Sequence, residues 1–363
     1  MAKQVGIDKW MFASTLVLVA LGVVMVFSAS AVMAGERFGS PYHFLLRQLG
    51  WVLAGLAAMA VIMNIDYRRW KHPGIVFTLL GITTLLLVAV FFLDRSHNTH
   101  RWVKLGAMSF QPSELAKPAL ILFLAFFLEN RTRMIDDWRH TLLPAVIPAA
   151  LFAILIVKQP DLGTAIVCLG ITAAIFYIAG VRLRYFAYAA IPLIPALYIL
   201  LFHVGWRRDR MLAFLNPWAD PQGKGFHIIQ SLIAVGTGGL TGIGLMEGKQ
   251  KLFYLPEPHT DFIYAVASEE LGLIGAIIIV ALFSIFAWRG FRTALRTRDT
   301  FGRYLATGIT TMIVLQAFFN ISVVLALLPT KGITLPFISY GGTSVFVMLA
   351  SVGVLLNITQ QTE

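Results

Sequence analysis

Asp261 closes a stretch, Leu255-Pro-Glu-Pro-His-Thr-Asp261, that leads directly into a long apolar run. Its two prolines stiffen the approach and cannot both lie inside a helix. A carboxylate in that place reads in two ways. Thr260 or Asp261 can cap the following helix by accepting backbone N–H bonds. Alternatively, the Asp261 carboxylate sits partly desolvated at a bilayer interface, with a raised proton affinity suited to general-base work. Glu269 and Glu270, about two turns further on, are costly against lipid and are expected to face protein or a cavity.

Four more stretches carry groups able to do chemistry. Arg101-Trp102-Val-Lys104 is followed by Gln111-Pro-Ser-Glu114-Leu-Ala-Lys117. There Glu114 and Lys117 share a helix face and can pair, or Arg101 and Lys117 can surround an anionic headgroup. Lys158-Gln-Pro-Asp161-Leu-Gly-Thr164 is a charged break between apolar runs, and a turn with a helix cap explains it equally well. The glycines of 236–244 lack the phosphate-loop pattern and follow no strand, so they read as flexible or closely packed backbone. Finally, 329–344 holds Lys331, Pro336 and Gly341-Gly342, which imply a broken or closely packed helix at membrane depth. Such backbone survives only where protein or water surrounds it.

The elements that must position these groups are helices in a membrane. Of 363 residues, 58% are hydrophobic and 13% charged, against about 25% charged in soluble domains. Apolar runs near 20 residues recur, each able to cross a hydrocarbon core of about 30 Å. They are too long and too continuously apolar for barrel strands. Ten spans are expected, near 10–34, 44–64, 73–93, 112–129, 141–157, 162–180, 185–203, 261–288, 303–328 and 339–358. The even count puts both termini on one side. The run 10–34 exceeds a signal-peptide core and reads as a retained span. The basic cluster Arg289 to Arg303 votes most strongly for cytoplasmic termini, which places the loop 204–260 outside. That loop contains an apolar, helix-like stretch from Phe226 to Val235. No internal repeat or domain boundary is visible, so 1–363 reads as one polytopic domain. Cys168 is the lone cysteine, and no zinc spacing exists. The expected outer end then gathers Arg101, Lys104, Lys117, Lys158, Arg207, Arg208, Arg210 and Lys331 with few carboxylates, which suits a lipid-linked phosphate or pyrophosphate.

These stretches, together with Phe27-Ser-Ala-Ser30, Phe214-Leu-Asn-Pro-Trp-Ala-Asp-Pro221 and Gln230-Ser231, closely resemble the SEDS family (shape, elongation, division and sporulation) nearly end to end. Leu328-Pro-Thr-Lys-Gly332 resembles the cell-division branch more than the elongation branch, and the sporulation branch shares much of the pattern. The resemblance implies a peptidoglycan glycosyltransferase that polymerises lipid II on the outer face of the bacterial inner membrane, for septal wall synthesis. It makes Asp261 the essential carboxylate, with Trp102 nearby, and Arg101, Lys117, Lys158, Arg210 and Lys331 candidates for the substrate cavity. It further implies a class b penicillin-binding protein transpeptidase and other divisome proteins as partners, with no nucleic acid. A divalent cation, magnesium or manganese, can assist the pyrophosphate, although the sequence holds no dedicated metal cage. Two departures, Ser268 before Glu269-Glu270 and His227 where glutamine is common, remove no motif charge.

Two other readings remain at this point. A lipid II flippase also suits intramembrane charges and broken helices, but it predicts contacts from both faces and no inverted repeat is visible. A noncatalytic scaffold for a transpeptidase gives no reason for Asp261.

Overall fold

The computed structural model describes residues 6–94, 100–105, 108–252, 254–330 and 332–362. Lys331 lies outside the described residues, as does the side chain of Lys104. The helices are α1 (Lys9–Phe38), α2 (His43–Ile62), α3 (Pro73–Leu93), α4 (Pro112–Glu129), α5 (Leu143–Lys158), α6 (Leu162–Ala179), α7 (Leu183–Phe202), α8 (Gly205–Leu215), α9 (Phe226–Thr237), α10 (Ile263–Arg296), α11 (Thr300–Val324) and α12 (Gly342–Gln360). A small antiparallel hairpin, β1 (Val103–Leu105) and β2 (Met108–Phe110), precedes α4.

The expected spans correspond to α1–α7 and α10–α12. Among the described residues, nine helices are long and apolar enough to cross a membrane. The tenth, α4, carries Glu114, Lys117 and Glu129 and is mostly buried by its neighbours. The ends obey local chemistry. Asp8 caps α1 by accepting from the N–H groups of Trp10 and Met11, each at 3.1 Å. Asp161 caps α6 through the Thr164 N–H at 3.0 Å and hydroxyl at 2.7 Å, and Gly180 ends it at φ 88°. Each such cap contributes about 1 kcal/mol.

The core lies along α11 and α12. α11 packs on α4, α6 and α10, while α12 packs along α2. α7 lies at the opposite extreme, with no buried residue. Its bare apolar surface is what a lipid-facing helix presents.

The expected loop 204–260 holds two helices, α8 and α9, and α9 packs on α10 and α11. Its glycine-rich end has a definite task. α10 breaks at Gly272, whose φ of 67° and ψ of −167° leave the helical region. The break frees backbone groups that apolar surroundings would penalise. Segment 239–244 supplies their partners. Leu273 and Ile274 N–H donate to the Gly239 and Leu240 carbonyls at 2.9 and 3.2 Å, and Ile243 and Gly244 N–H donate to the Glu269 and Glu270 carbonyls at 3.1 and 3.2 Å. A side chain at Gly242 would meet the Glu270 carbonyl at 2.1 Å. The glycines are therefore closely packed backbone, and they let a loop repair a broken helix.

The carboxylates beside this break face protein, as their charge requires. Glu270 accepts from Lys251 at 2.7 Å, from Ser28 of α1 at 2.6 and 2.7 Å, and from the Met246 N–H at 3.1 Å. Glu269 accepts from the Lys249 N–H at 3.0 Å and the Gln250 N–H at 3.3 Å. Together these contacts latch the loop to the short first half of α10, the half that Asp261 precedes.

Candidate active site

The turn that carries Asp261 is stapled to the irregular segment before α12. Tyr340 N–H donates to the His259 carbonyl at 2.9 Å, and the Ser339 hydroxyl donates to the Thr260 carbonyl at 2.6 Å. Asn320 of α11 donates from one amide nitrogen to the Asp261 carbonyl at 2.8 Å and to the Ile333 carbonyl at 2.7 Å. Gln48 of α2, fully buried, donates to the Ser339 carbonyl at 3.3 Å and accepts from the Gly341 N–H at 3.4 Å. The broken backbone of 332–341 is thus satisfied by protein. Two stretches far apart in the chain become one wall.

Above that wall is a cavity of about 390 Å³, lined by Arg101, Asp161, Trp206, Arg207, Arg210 and Asp261 among others. α10 is capped at Phe262 without a side-chain bond, so the capping alternative for Asp261 is not the one adopted. Among the described residues its carboxylate accepts no hydrogen bond. Burial pushes its pKa up to about 7, with Glu257 and Asp161 adding to the rise, while Arg101 and Arg210 pull it down. Gly332 lies so close that a methyl there would sit 3.0 Å from Asp261 Oδ2.

Three arginines line the same cavity, and two of them, Arg101 and Arg210, act electrostatically on this carboxylate. Arg101 is anchored through Nε to the Gln159 carbonyl at 2.9 Å and through Nη2 to the Pro160 carbonyl. Its backbone N–H rests on Asp94 at 2.9 Å. Arg207 and Arg210 flank Trp206 on α8, each guanidinium 4.9 and 5.1 Å from its ring. Arg207 also reaches the Leu200 and Val157 carbonyls at 3.4 and 3.3 Å. Burial and then the like charge of Arg101 lower the proton affinity of both. They stay charged, because a guanidinium does not titrate near neutrality. None of the three forms an ion pair with a carboxylate among the described residues, so the cavity holds positive charge that an anion can satisfy.

Other sequence candidates are placed elsewhere. Lys117 is fully buried and donates to Glu114 at 2.8 Å and Gln316 at 2.9 Å. Its ammonium is committed inside the bundle, so the pairing alternative is realised and the headgroup alternative is corrected. Lys158 ends α5 with an exposed side chain outside the cavity lining. Trp102 follows Arg101, is partly buried and donates its N–H to Asp94 at 3.1 Å, but does not line the cavity. Lys331 lies outside the described residues.

Asp161 and Arg207, expected at the outer end, line the cavity. The structure adds residues that sequence reasoning did not single out for the site: Trp206 in the lining, and Asn320, Ser339 and Gln48 in the wall. Arg207 and Trp206 offered a signal, an aromatic beside clustered cations. The buried amides offered none. His259 is 3% exposed, packed 4.5 Å from Phe44 and 5.5 Å from Tyr340. Burial first, then Arg37, lowers its pKa to about 4, so it is neutral and turned toward aromatic neighbours.

Comparison with known proteins bears on this arrangement. A family profile described as "Cell cycle protein", FtsW/RodA/SpoVE, matches residues 8–363. The chain is 45% identical over 361 residues to the probable peptidoglycan glycosyltransferase FtsW of Geobacter metallireducens, covering 98% of this chain and 96% of that one. It is 43% identical over 362 residues to stage V sporulation protein E of Bacillus subtilis, covering 99% of each. Among solved structures, a chain from a peptidoglycan synthase complex that coordinates polymerization and crosslinking superposes with TM-score 0.80 at 30% identity, covering 98% and 99%. The rod shape determining protein RodA of Thermus thermophilus superposes with TM-score 0.71 at 28% identity, covering 99% of each. The helices able to cross a membrane and this full-length likeness agree with the SEDS resemblance: the chain is a multi-pass membrane protein and belongs to the FtsW/RodA/SpoVE family of cell cycle proteins.

Proposed function

We propose that the protein is a peptidoglycan glycosyltransferase that polymerises lipid II in the cavity over Asp261, serving septal wall synthesis. One observation carries the chemistry: a carboxylate with no hydrogen-bond donor among the described residues shares one cavity with Arg101, Arg207 and Arg210, and burial pushes its pKa up to about 7. A general base works best when its pKa lies near the working pH. Asp261 takes the proton from the 4-hydroxyl of the acceptor N-acetylglucosamine. The freed oxygen attacks the anomeric carbon of the donor N-acetylmuramic acid, and the bond to undecaprenyl pyrophosphate breaks. Arg101, Arg207 and Arg210 take up the charge that grows on the departing pyrophosphate. A single displacement inverts the anomeric centre, with base and leaving group on opposite sides.

The same reading places the cavity at the outer face of the inner membrane, with both termini cytoplasmic and the protein at the septum. A class b penicillin-binding protein is its transpeptidase partner, in keeping with the synthase complex whose chain it resembles. No group of three or more metal-ligating side chains occurs among the described residues, and Asp161 already accepts two bonds from Thr164. A magnesium or manganese ion would arrive with the pyrophosphate.

The test is glycan-strand formation from labelled lipid II by the purified protein with its transpeptidase partner. Wild type should make polymer, and an equally folded, partner-bound Asp261→Asn variant should make it at least about 10²-fold more slowly. Transbilayer movement of lipid II without polymer would replace this reading with a flippase. Equal polymer from both proteins would remove Asp261 from the mechanism.

A further inference from the structure

At the far end of α10 from Asp261 lies a second charged hollow, of about 430 Å³, between the last turns of α10 and the start of α1. Arg289, Arg292 and Arg296 recur there at helical spacing and share one face of α10. Lys9 adds a fourth cation, and among the described residues Asp8 is the only carboxylate in the lining. That carboxylate is already committed. Its Oδ1 caps α1, and its Oδ2 binds Arg289 at 2.7 Å through Nε and 2.5 Å through Nη2. Among the described residues Lys9, Arg292 and Arg296 pair with no acid. A cationic last turn complements the helix dipole, and basic loops set topology. Neither role requires a concave wall built by two helices.

The surroundings say which anion belongs there. Trp10 is 64% exposed and Trp288 60% exposed, one on each helix beside the hollow. Indoles so placed mark the boundary between hydrocarbon and water. The guanidiniums of Arg289 and Arg292 each lie 5.6 Å from the Trp288 ring. On the hydrocarbon side of Trp288, Ile277, Ile278 and Val280 of α10 expose apolar surface along which an acyl chain can run. We propose that this hollow binds the phosphate of an anionic phospholipid headgroup, held by Arg292 and Arg296, with the lipid's chains along α10. Basic pockets between membrane helices suit such headgroups, and each cation near the surface contributes about a fivefold gain. The site is separate from the Asp261 cavity and does not depend on the function proposed for it.

The experiment is native mass spectrometry of the full chain released from mixed micelles of phosphatidylglycerol and phosphatidylcholine. Wild type should retain phosphatidylglycerol roughly tenfold over phosphatidylcholine. Arg292→Gln/Arg296→Gln should bring the ratio close to one, while Arg131→Gln/Arg133→Gln, at the same end of the bundle, should leave it unchanged. Arg289 is kept because it pairs with Asp8. A wild type without preference, or an equal fall in both double variants, overturns the proposal. A soluble-phosphate arm separates the sources: if inorganic phosphate binds with the same arginine dependence while the lipid does not, the hollow is a phosphate site and the lipid assignment is wrong.

Discussion

Asp261 ties its chemistry to pH in a direction that can be worked out. A carboxyl raised to about 7 is protonated below that pH and cannot accept a proton, so the rate should climb through pH 7 and level off above it. Arg101 and Arg210 pull that pKa down. Arg101→Gln should therefore displace the rising limb to higher pH and, by removing a pyrophosphate contact, lower the plateau as well. The profile of kcat against pH reads both effects. Stability carries the mirror image. At low pH the carboxyl is neutral in folded and unfolded chains alike. As pH rises past the ordinary carboxylate range toward 7, the unfolded chain ionises first and the fold loses ground. Asp261→Asn should thus match wild type in melting temperature near pH 4 and exceed it near pH 8. Gly332→Ala is a steric counterpart, since its methyl would press on Asp261 Oδ2 at 3.0 Å. We expect about a tenfold fall in turnover with little change in melting temperature.

At the scale of elements, the latch between the long loop and α10 sets the approach to Asp261. Gly272 divides α10, so the short half-helix after Asp261 is not steadied by backbone continuity alone. It depends on segment 239–252 and on the buried Lys251–Glu270 pair. Removing one member of such a pair leaves an uncompensated charge and costs roughly 3–5 kcal/mol. Lys251→Met should therefore be severely destabilised, and Lys251→Met/Glu270→Gln should regain most of that loss. A thermal-melting double-mutant cycle with a large positive coupling is the expected result, and additive losses would show that the pair does not act as a unit. The expectation that Glu269 and Glu270 face protein was legible in their cost against lipid. That the glycines of 236–244 would be their neighbours was not, because the contact joins a loop to a helix break, and neither periodicity nor composition marks such a pairing.

For the whole molecule, the proposed orientation can be read by chemical labelling. Cys168 is fully buried, so single cysteines can be placed at the surface without removing it. Cysteines at Trp218 and at Arg298 should react with a membrane-impermeant maleimide from opposite sides of sealed vesicles, the former from outside. Labelling of both sites from the same side would contradict the single crossing by α10 that separates them. The spans themselves were plain from the sequence, since about 20 apolar residues have one stable form in hydrocarbon, a helix.

Two kinds of information separate in this protein. Apolar run length, capping residues such as Asp8 and Asp161, and the positions of charge along the chain are local properties, and they determined the helices and the presence of a strong anion-seeking character. Which charges act together was decided only by tertiary packing. Lys117 and Arg101 belong to neighbouring stretches, yet one is enclosed by Glu114 and Gln316 while the other reaches the cavity. Asn320 joins Asp261 to Ile333, and Gln48 secures Ser339 across most of the chain. The physical reason is that a buried polar group must find a partner wherever the packed helices bring one. Sequence spacing carries no record of that choice.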